Sequence, residues 1–205
     1  MELLLIRHAL PERWERSDGP ADPGLTADGH AQAGHLAHYL ATEKIDALYS
    51  SPMRRAVETA APLATSQSLQ VMLEDGIAEF DRTSSTYVPI EELRAANDPR
   101  WRQMMEGGDG DPTEFRATVV SSIEAIIARH VDDRVAVLCH AGVIGAYLAH
   151  VLGVTMTGRS FFAPNYTCIN RVMASRRGGR SVFTMNETSH LRGTGLRTGL
   201  YDGVV

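Results

Sequence analysis

Apolar positions along the chain follow two alternating rhythms. Short apolar runs predict strands over residues 3–6, 45–49, 69–73 and 135–139. The first and last of these are continuous, as suits strands buried on both faces of a parallel sheet. Between them, apolar residues recur at helical spacing. One helix is predicted over 26–40, with Thr26 as N-cap and Asp28 in its first turn. A second opens at SSPMRRAVETAAPLA, with Ser51 as N-cap and Pro52 at the first helical position. Its Met53, Ala56, Val57, Ala60 and Ala64 would face the sheet. Two more helices are predicted over 113–130 and 142–152.

This alternation defines an α/β chain, a three-layer α/β/α sandwich with a mostly parallel central sheet. Residues 81–111 break the rhythm. They are polar, with PIEELRAAN and DPRWRQMMEGG as short helical pieces, and read as a small helical cap inserted over the sheet. Near the end, TCINRVMA and SVFTMN flank SRRGGR, a hairpin with a Gly-Gly turn. Residues 192–205, rich in Gly, Arg and Thr, read as a loose tail. The 205 residues suit one domain, and no internal repeat interrupts it.

Composition narrows the partners. Hydrophobic residues make up 43% and charged residues 22%, as in an ordinary globular protein, and the net charge of −5 argues against nucleic acid or an anionic membrane. No apolar run approaches the roughly 20 residues that span a bilayer. MELLLIRH is short in its apolar part and has no basic leader, so no signal peptide is expected. Cys139 and Cys168 are the only cysteines, a poor disulfide framework that makes a reducing cytoplasm the default. The hairpin is a candidate sheet edge for a second copy, which leaves a homo-oligomer open.

The chemistry-bearing signal is a coincidence between distant places. ELLLIRHA and RVAVLCHAG are apolar runs that both end in His-Ala. Ligands of open α/β sheets bind outside the carboxyl ends of the strands, so His8 and His140 fall on the edge where chemistry is done. Arg7 precedes His8, and Arg55 lies about one turn into the helix that opens after Ser51. Guanidinium groups beside a helix N-terminus suit a phosphate, which they grip with paired hydrogen bonds. Arg54, next in line, faces elsewhere and reads as surface.

LIRHA, SSPMRRAVETA, AEF and CHAGV, in that order, resemble the histidine phosphatase superfamily, the phosphoglycerate-mutase-like fold. The resemblance spans roughly residues 2–190 and takes in LTADGHAQA, PNYTCIN and NETSHL. It implies that His8 is the nucleophile and becomes a phosphohistidine. It further implies that Arg7, Arg55 and His140 hold the phosphoryl oxygens, that Glu79 is the general acid, and that Asn165 supports the pocket. The partner implied is a small phosphorylated substrate. No metal or other cofactor is called for, because the protein supplies the positive charge. Physical logic agrees: neighbouring cations keep an imidazole neutral, and a glutamate facing a phosphate dianion keeps its proton.

Departures from the family pattern leave alternatives open. Ala9 stands where the first motif has glycine, and tolerates that place only at negative φ. Glu12, Arg13 and Trp14 follow where many members carry an Asn that binds phosphate, so Arg13 is a candidate substitute. Asp81 is a second candidate acid, since the Gly-containing pattern that usually follows the Glu is absent. Beside a metal-independent phosphomonoester hydrolase stand a phosphoglycerate-mutase-type phosphotransferase, disfavoured by the short chain, and a non-catalytic phosphoester-binding module. Cys139 lacks an Arg six residues on, Gly145 standing there, so cysteine-phosphatase chemistry is set aside. No HExxH or Cys spacing supports a metal site at His30, His35 and His38.

Overall fold

A computed structural model describes residues 1–15, 19–106, 112–156 and 161–199. The end of the predicted cap, 107–111, and of the predicted tail, 200–205, lie outside the described residues. In chain order the elements are β1 (Glu2–Arg7), β2 (Trp14–Glu15), α1 (Ala27–Leu40), β3 (Ala47–Ser50), α2 (Arg54–Gln67), β4 (Val71–Leu73), β5 (Thr86–Tyr87), α3 (Ile90–Ala95), α4 (Pro99–Glu106), α5 (Thr113–Arg129), β6 (Arg134–Cys139), α6 (Ala141–Leu152), β7 (Ile169–Ala174) and β8 (Arg180–Glu187).

The main sheet runs β4-β3-β6-β1-β7-β8. The first four strands are parallel, and β7 and β8 turn back antiparallel. Strand alternation divides the core between two faces. Leu3, Leu5, Tyr49, Val135 and Val137 pack with Ile123, Ile126, Ile144 and Tyr147 of α5 and α6. Leu4, Ile6, Leu48, Ala136 and Leu138 pack with Leu36, Leu40, Ala60 and Leu63 of α1 and α2. Burial on both faces explains why β1 and β6 read as continuous apolar runs. The expected α/β fold with a mostly parallel sheet is therefore observed. Among the described residues no helix is long and apolar enough to cross a membrane.

Three details differ from the sequence reading, each for a physical reason. The predicted strands at 45–49 and 69–73 shift and shorten to β3 and β4, and the helix expected from 51 starts at Arg54. Ser51 cannot cap it: its N–H still extends the sheet, donating to the Leu138 carbonyl at 2.9 Å. The buried face of α2 also widens to include Arg55, Thr59 and Leu63 beside Ala56 and Ala60; Ala64 packs against the core as expected, and Val57 is only half-buried. Polar Arg55 and Thr59 join that face because α2 covers a polar strand end there. Finally, part of the predicted loose tail is held to the body. The side-chain amide of Gln32 donates to the Arg197 carbonyl at 2.6 Å, and the Tyr166 N–H to the Thr198 carbonyl at 2.7 Å.

Helix α1 lies hard against the segment that follows β1. A β-carbon added at Gly29 would stand 2.2 Å from the Leu10 carbonyl oxygen, which is backbone and cannot swing aside. Alanine is the better helix former by about 1 kcal/mol. Gly29→Ala is nevertheless expected to lower stability, by roughly 1–3 kcal/mol of overpacking. Urea unfolding of the variant checks the sign; a stabilised variant would refute this packing.

Candidate active site

Three neighbouring parallel strands end side by side and deliver the polar groups. Arg7 is in register with Cys139, and Ser50 with Leu138. Beyond them His8 continues the ladder, its N–H donating to the Cys139 carbonyl at 2.9 Å. Ser51, His140 and His8 thus follow adjacent strands at one edge. The side chains of His8, His140, Arg7 and Arg55 are all buried there, with Arg55 in the first turn of α2.

The His8 ring has a fixed tautomer. Its Nδ1 lies 2.7 Å from the Ala9 carbonyl oxygen, which only accepts, so Nδ1 carries the proton and Nε2 presents a lone pair. Burial first, then the Arg55 and Arg7 charges, hold the imidazole well below its usual pKa and therefore neutral. Ala9 is not among the described residues at positive φ. Its methyl packs in a small apolar cluster with Leu25 and Ala33, and its N–H donates to the Thr59 hydroxyl at 2.9 Å. Glycine's freedom is unnecessary at this turn.

Around His8 the cations keep free donors. Arg7 gives one N–H to the Pro164 carbonyl at 2.7 Å, and its guanidinium carbon lies 4.0 Å from the Tyr166 ring centre. Arg55 donates to Asp81 at 2.8 Å and stacks 4.8 Å from the Tyr87 ring centre. Among the described residues, Arg7 Nε, Arg55 Nε and Nη1, and His140 Nδ1 are buried without a partner. The His140 ring centre is 5.2 Å from that of His8, and its Nε2 meets the Ser51 hydroxyl at 2.8 Å. Unsatisfied buried donors are costly, and this many together are chemically suited to an anion.

Glu79 occupies the same edge. One carboxyl oxygen accepts from the Gly142 N–H at 2.8 Å and the other from the Phe80 N–H at 3.1 Å. Burial, and next Asp81, push its pKa up to about 7, against the lowering effect of those bonds. Gly142 is required for this approach, because a β-carbon there would lie 2.3 Å from a Glu79 oxygen. Asp81 is engaged otherwise, in its ion pair with the buried Arg55.

The remaining predicted residues are engaged in other contacts. Asn165 adjoins the carbonyl that holds Arg7, and its N–H donates to Asn186 at 2.8 Å. Arg13 is half exposed and bound to Glu15, with Glu92 at 3.7 Å. Sequence reasoning missed Thr59, Tyr87, Tyr166 and the hydroxyl of Ser51, which it assigned to a helix cap. Three of these lay inside quoted motifs, Ser51 and Thr59 in SSPMRRAVETA and Tyr166 in PNYTCIN, whereas Tyr87 carried no signal. Among the described residues no three His, Cys, Asp or Glu side chains gather as a metal-holding group.

An α/β sheet that turns basic donors and a neutral imidazole to its carboxyl edge defines a phosphate-handling enzyme. The profile of the histidine phosphatase superfamily (branch 1) matches residues 3–188, and the chain belongs to that superfamily. Phosphoserine phosphatase 1 of Hydrogenobacter thermophilus is 31% identical, over 93% of this chain and 94% of its own. In fold, the chain is similar to the phosphoserine phosphatase of Entamoeba histolytica crystallised with 3-phosphoglyceric acid, with a TM-score of 0.73 at 23% identity over 93% of this chain and 98% of that one. A mycobacterial glucosyl-3-phosphoglycerate phosphatase in complex with VO3 gives 0.71 at 18% identity, over 91% and 99%. The chain is thus a phosphatase, an enzyme of this superfamily.

Orthophosphate is expected to raise the thermal unfolding midpoint, since a ligand bound only by the folded state stabilises it. Arg55→Met should abolish that shift, whereas Arg13→Ala should retain it. A shift that survives Arg55→Met in a thermal scan would move the anion seat elsewhere.

Proposed function

We propose that the enzyme hydrolyses phosphomonoesters by two displacements at His8, without a metal ion. In the first, Nε2 of His8 attacks phosphorus as the ester P–O bond breaks, and the leaving oxygen takes a proton from Glu79. In the second, water attacks the phosphohistidine, giving its proton to Glu79 and releasing orthophosphate and His8. The observation that carries the reading is the bond from His8 Nδ1 to the Ala9 carbonyl, which leaves Nε2 as the lone-pair nitrogen.

The free donors supply the electrostatics. Arg7 Nε, Arg55 Nε and Nη1, and His140 Nδ1 are suited to the equatorial oxygens, where the transition state gathers charge. Ser51 Oγ already accepts from the Met53 N–H at 3.3 Å, so we assign its own proton to the 2.8 Å contact with His140 Nε2, which puts the imidazole proton on Nδ1, toward the phosphoryl group. We assign the acid to Glu79 and give Asp81 the task of holding Arg55 in place. Asn165 stiffens the loop that carries the Pro164 carbonyl, and Arg13 belongs to the rim. Phosphoserine is the first substrate to try, because the 31% identical Hydrogenobacter protein is named for it.

The test is hydrolysis of an aryl phosphate with chelator present, by the wild type and by His8→Ala. Activity that resists chelator and vanishes in the variant is expected; loss to chelator, or an active variant, would overturn the mechanism. Glu79 gives a second test. Its protonated fraction falls as pH rises through about 7, while His8 stays neutral there, so kcat/KM for alkyl phosphates should fall above about pH 7. Glu79→Gln should remove that limb and cost about 10²–10⁴-fold with alkyl leaving groups, far less with a nitrophenolate that departs unprotonated. An unchanged pH profile in this variant would assign the acid elsewhere.

A further inference from the structure

One half-buried glutamate near the site has no task in the mechanism above. Glu91, on α3, accepts a hydrogen bond from the Tyr166 hydroxyl at 2.8 Å with one oxygen. Its other oxygen, Oε2, is buried and without a partner among the described residues. The Tyr166 ring links it to the reacting centre, lying 5.9 Å from the His8 ring and under the Arg7 guanidinium at 4.0 Å. The Tyr166 hydroxyl thus ties Glu91 to a ring that lies against both His8 and Arg7. Both Arg7 and Tyr87 lie close enough to Glu91 to feel its charge.

A carboxylate is acceptor-only, and an unmet buried acceptor costs about 1–3 kcal/mol. Arg7 and Arg55 turn their free donors to the anion, so the phosphoryl group does not satisfy Glu91; a second phosphate or a carboxylate there would be repelled. A hydrogen-bond donor on the organic part of the substrate would complete it.

We propose that Glu91 selects phosphomonoesters whose leaving group carries a donor, an ammonium or a hydroxyl, a short chain away from the ester oxygen. This rests on the phosphatase reading of the site and adds the class of alcohol released. Glu91 acts by binding the leaving group and takes no part in bond breaking.

The experiment compares kcat/KM for aminoalkyl phosphates of two to four carbons with alkyl phosphates in which methyl replaces the ammonium, and with the hydroxyalkyl analogues. A charged hydrogen bond in a buried site corresponds to about 10–100-fold, so the wild type should favour the best ammonium ester over its methyl isostere by that much. The hydroxyalkyl arm decides which donor is read. Glu91→Gln keeps an acceptor for Tyr166 but loses the charge, and should collapse the ammonium-to-methyl ratio toward one, mainly through KM. Tyr166→Phe removes the latch between Tyr166 and Glu91 and should leave the ratio above one. A wild type without the preference, or a preference intact in Glu91→Gln, overturns the proposal. So does a ratio that collapses equally in Tyr166→Phe, since Glu91 would then only be fastening α3. A wild type that hydrolyses none of these esters and no aryl phosphate would instead sink the phosphatase mechanism itself.

Discussion

Two buried guanidinium groups must share a sheet edge with an imidazole that stays uncharged, and the rest of the molecule is arranged around that constraint. Bringing Arg7 and Arg55 out of water is expensive. Each is held by part of its donor set: Arg7 by the Pro164 carbonyl and the Tyr166 face, Arg55 by Asp81 and the Tyr87 face. The remaining donors stay unpaired. At the opposite end of β1 the same chemistry is completed. Arg171 is buried among Glu2, Glu43 and Glu187, bound to all three at 2.7–3.0 Å, and Arg134 binds Glu2 at 2.6 Å. One end of the sheet pairs its arginines fully and is structural. The other leaves them incomplete, which suits the oxyanion proposed to bind there.

That contrast explains several local choices. His8 must be neutral beside two cations, and the Ala9 carbonyl selects its tautomer while the Thr59 hydroxyl holds the Ala9 N–H. Thr59 in turn donates to the Arg55 carbonyl at 2.7 Å, so the turn after β1 and the first turns of α2 are locked together. Glu79 meets the N-terminus of α6 through the Gly142 N–H, at a distance where any β-carbon would force the carboxyl to shift. Positioning thus comes from backbone groups at strand and helix ends, which do not depend on long side chains.

The sequence told most about what is repeated and least about what is local. The parallel sheet was readable because β1 and β6 are apolar on both faces, and the meeting of His8 and His140 at one edge because Arg-His and Cys-His each end such a run. Arg55 was readable from its spacing to the helix start, although Ser51 was read as the cap. The N-cap pattern is a local rule, and here the sheet ladder overrode it by holding Ser51 extended. The roles of Tyr87, Tyr166 and Glu91 were hidden for a different reason. Each depends on which segment of the polar stretch after Glu79, or of the loop before β7, folds back over the strand ends, and no periodicity records that. Arg13 was singled out because a basic residue after the first motif suits a phosphate; in the folded chain it is bound to Glu15, with Glu92 at 3.7 Å.

The central claim is that a neutral His8, with its lone pair on Nε2, is the phosphoryl acceptor. Rapid mixing with a substrate carrying radiolabelled phosphate, alkaline quenching within one turnover and peptide mapping test it most directly. The account predicts an alkali-stable, acid-labile label on His8, bonded through Nε2. Label on another residue or on Nδ1, or turnover in which no phosphorylated enzyme forms, would contradict it.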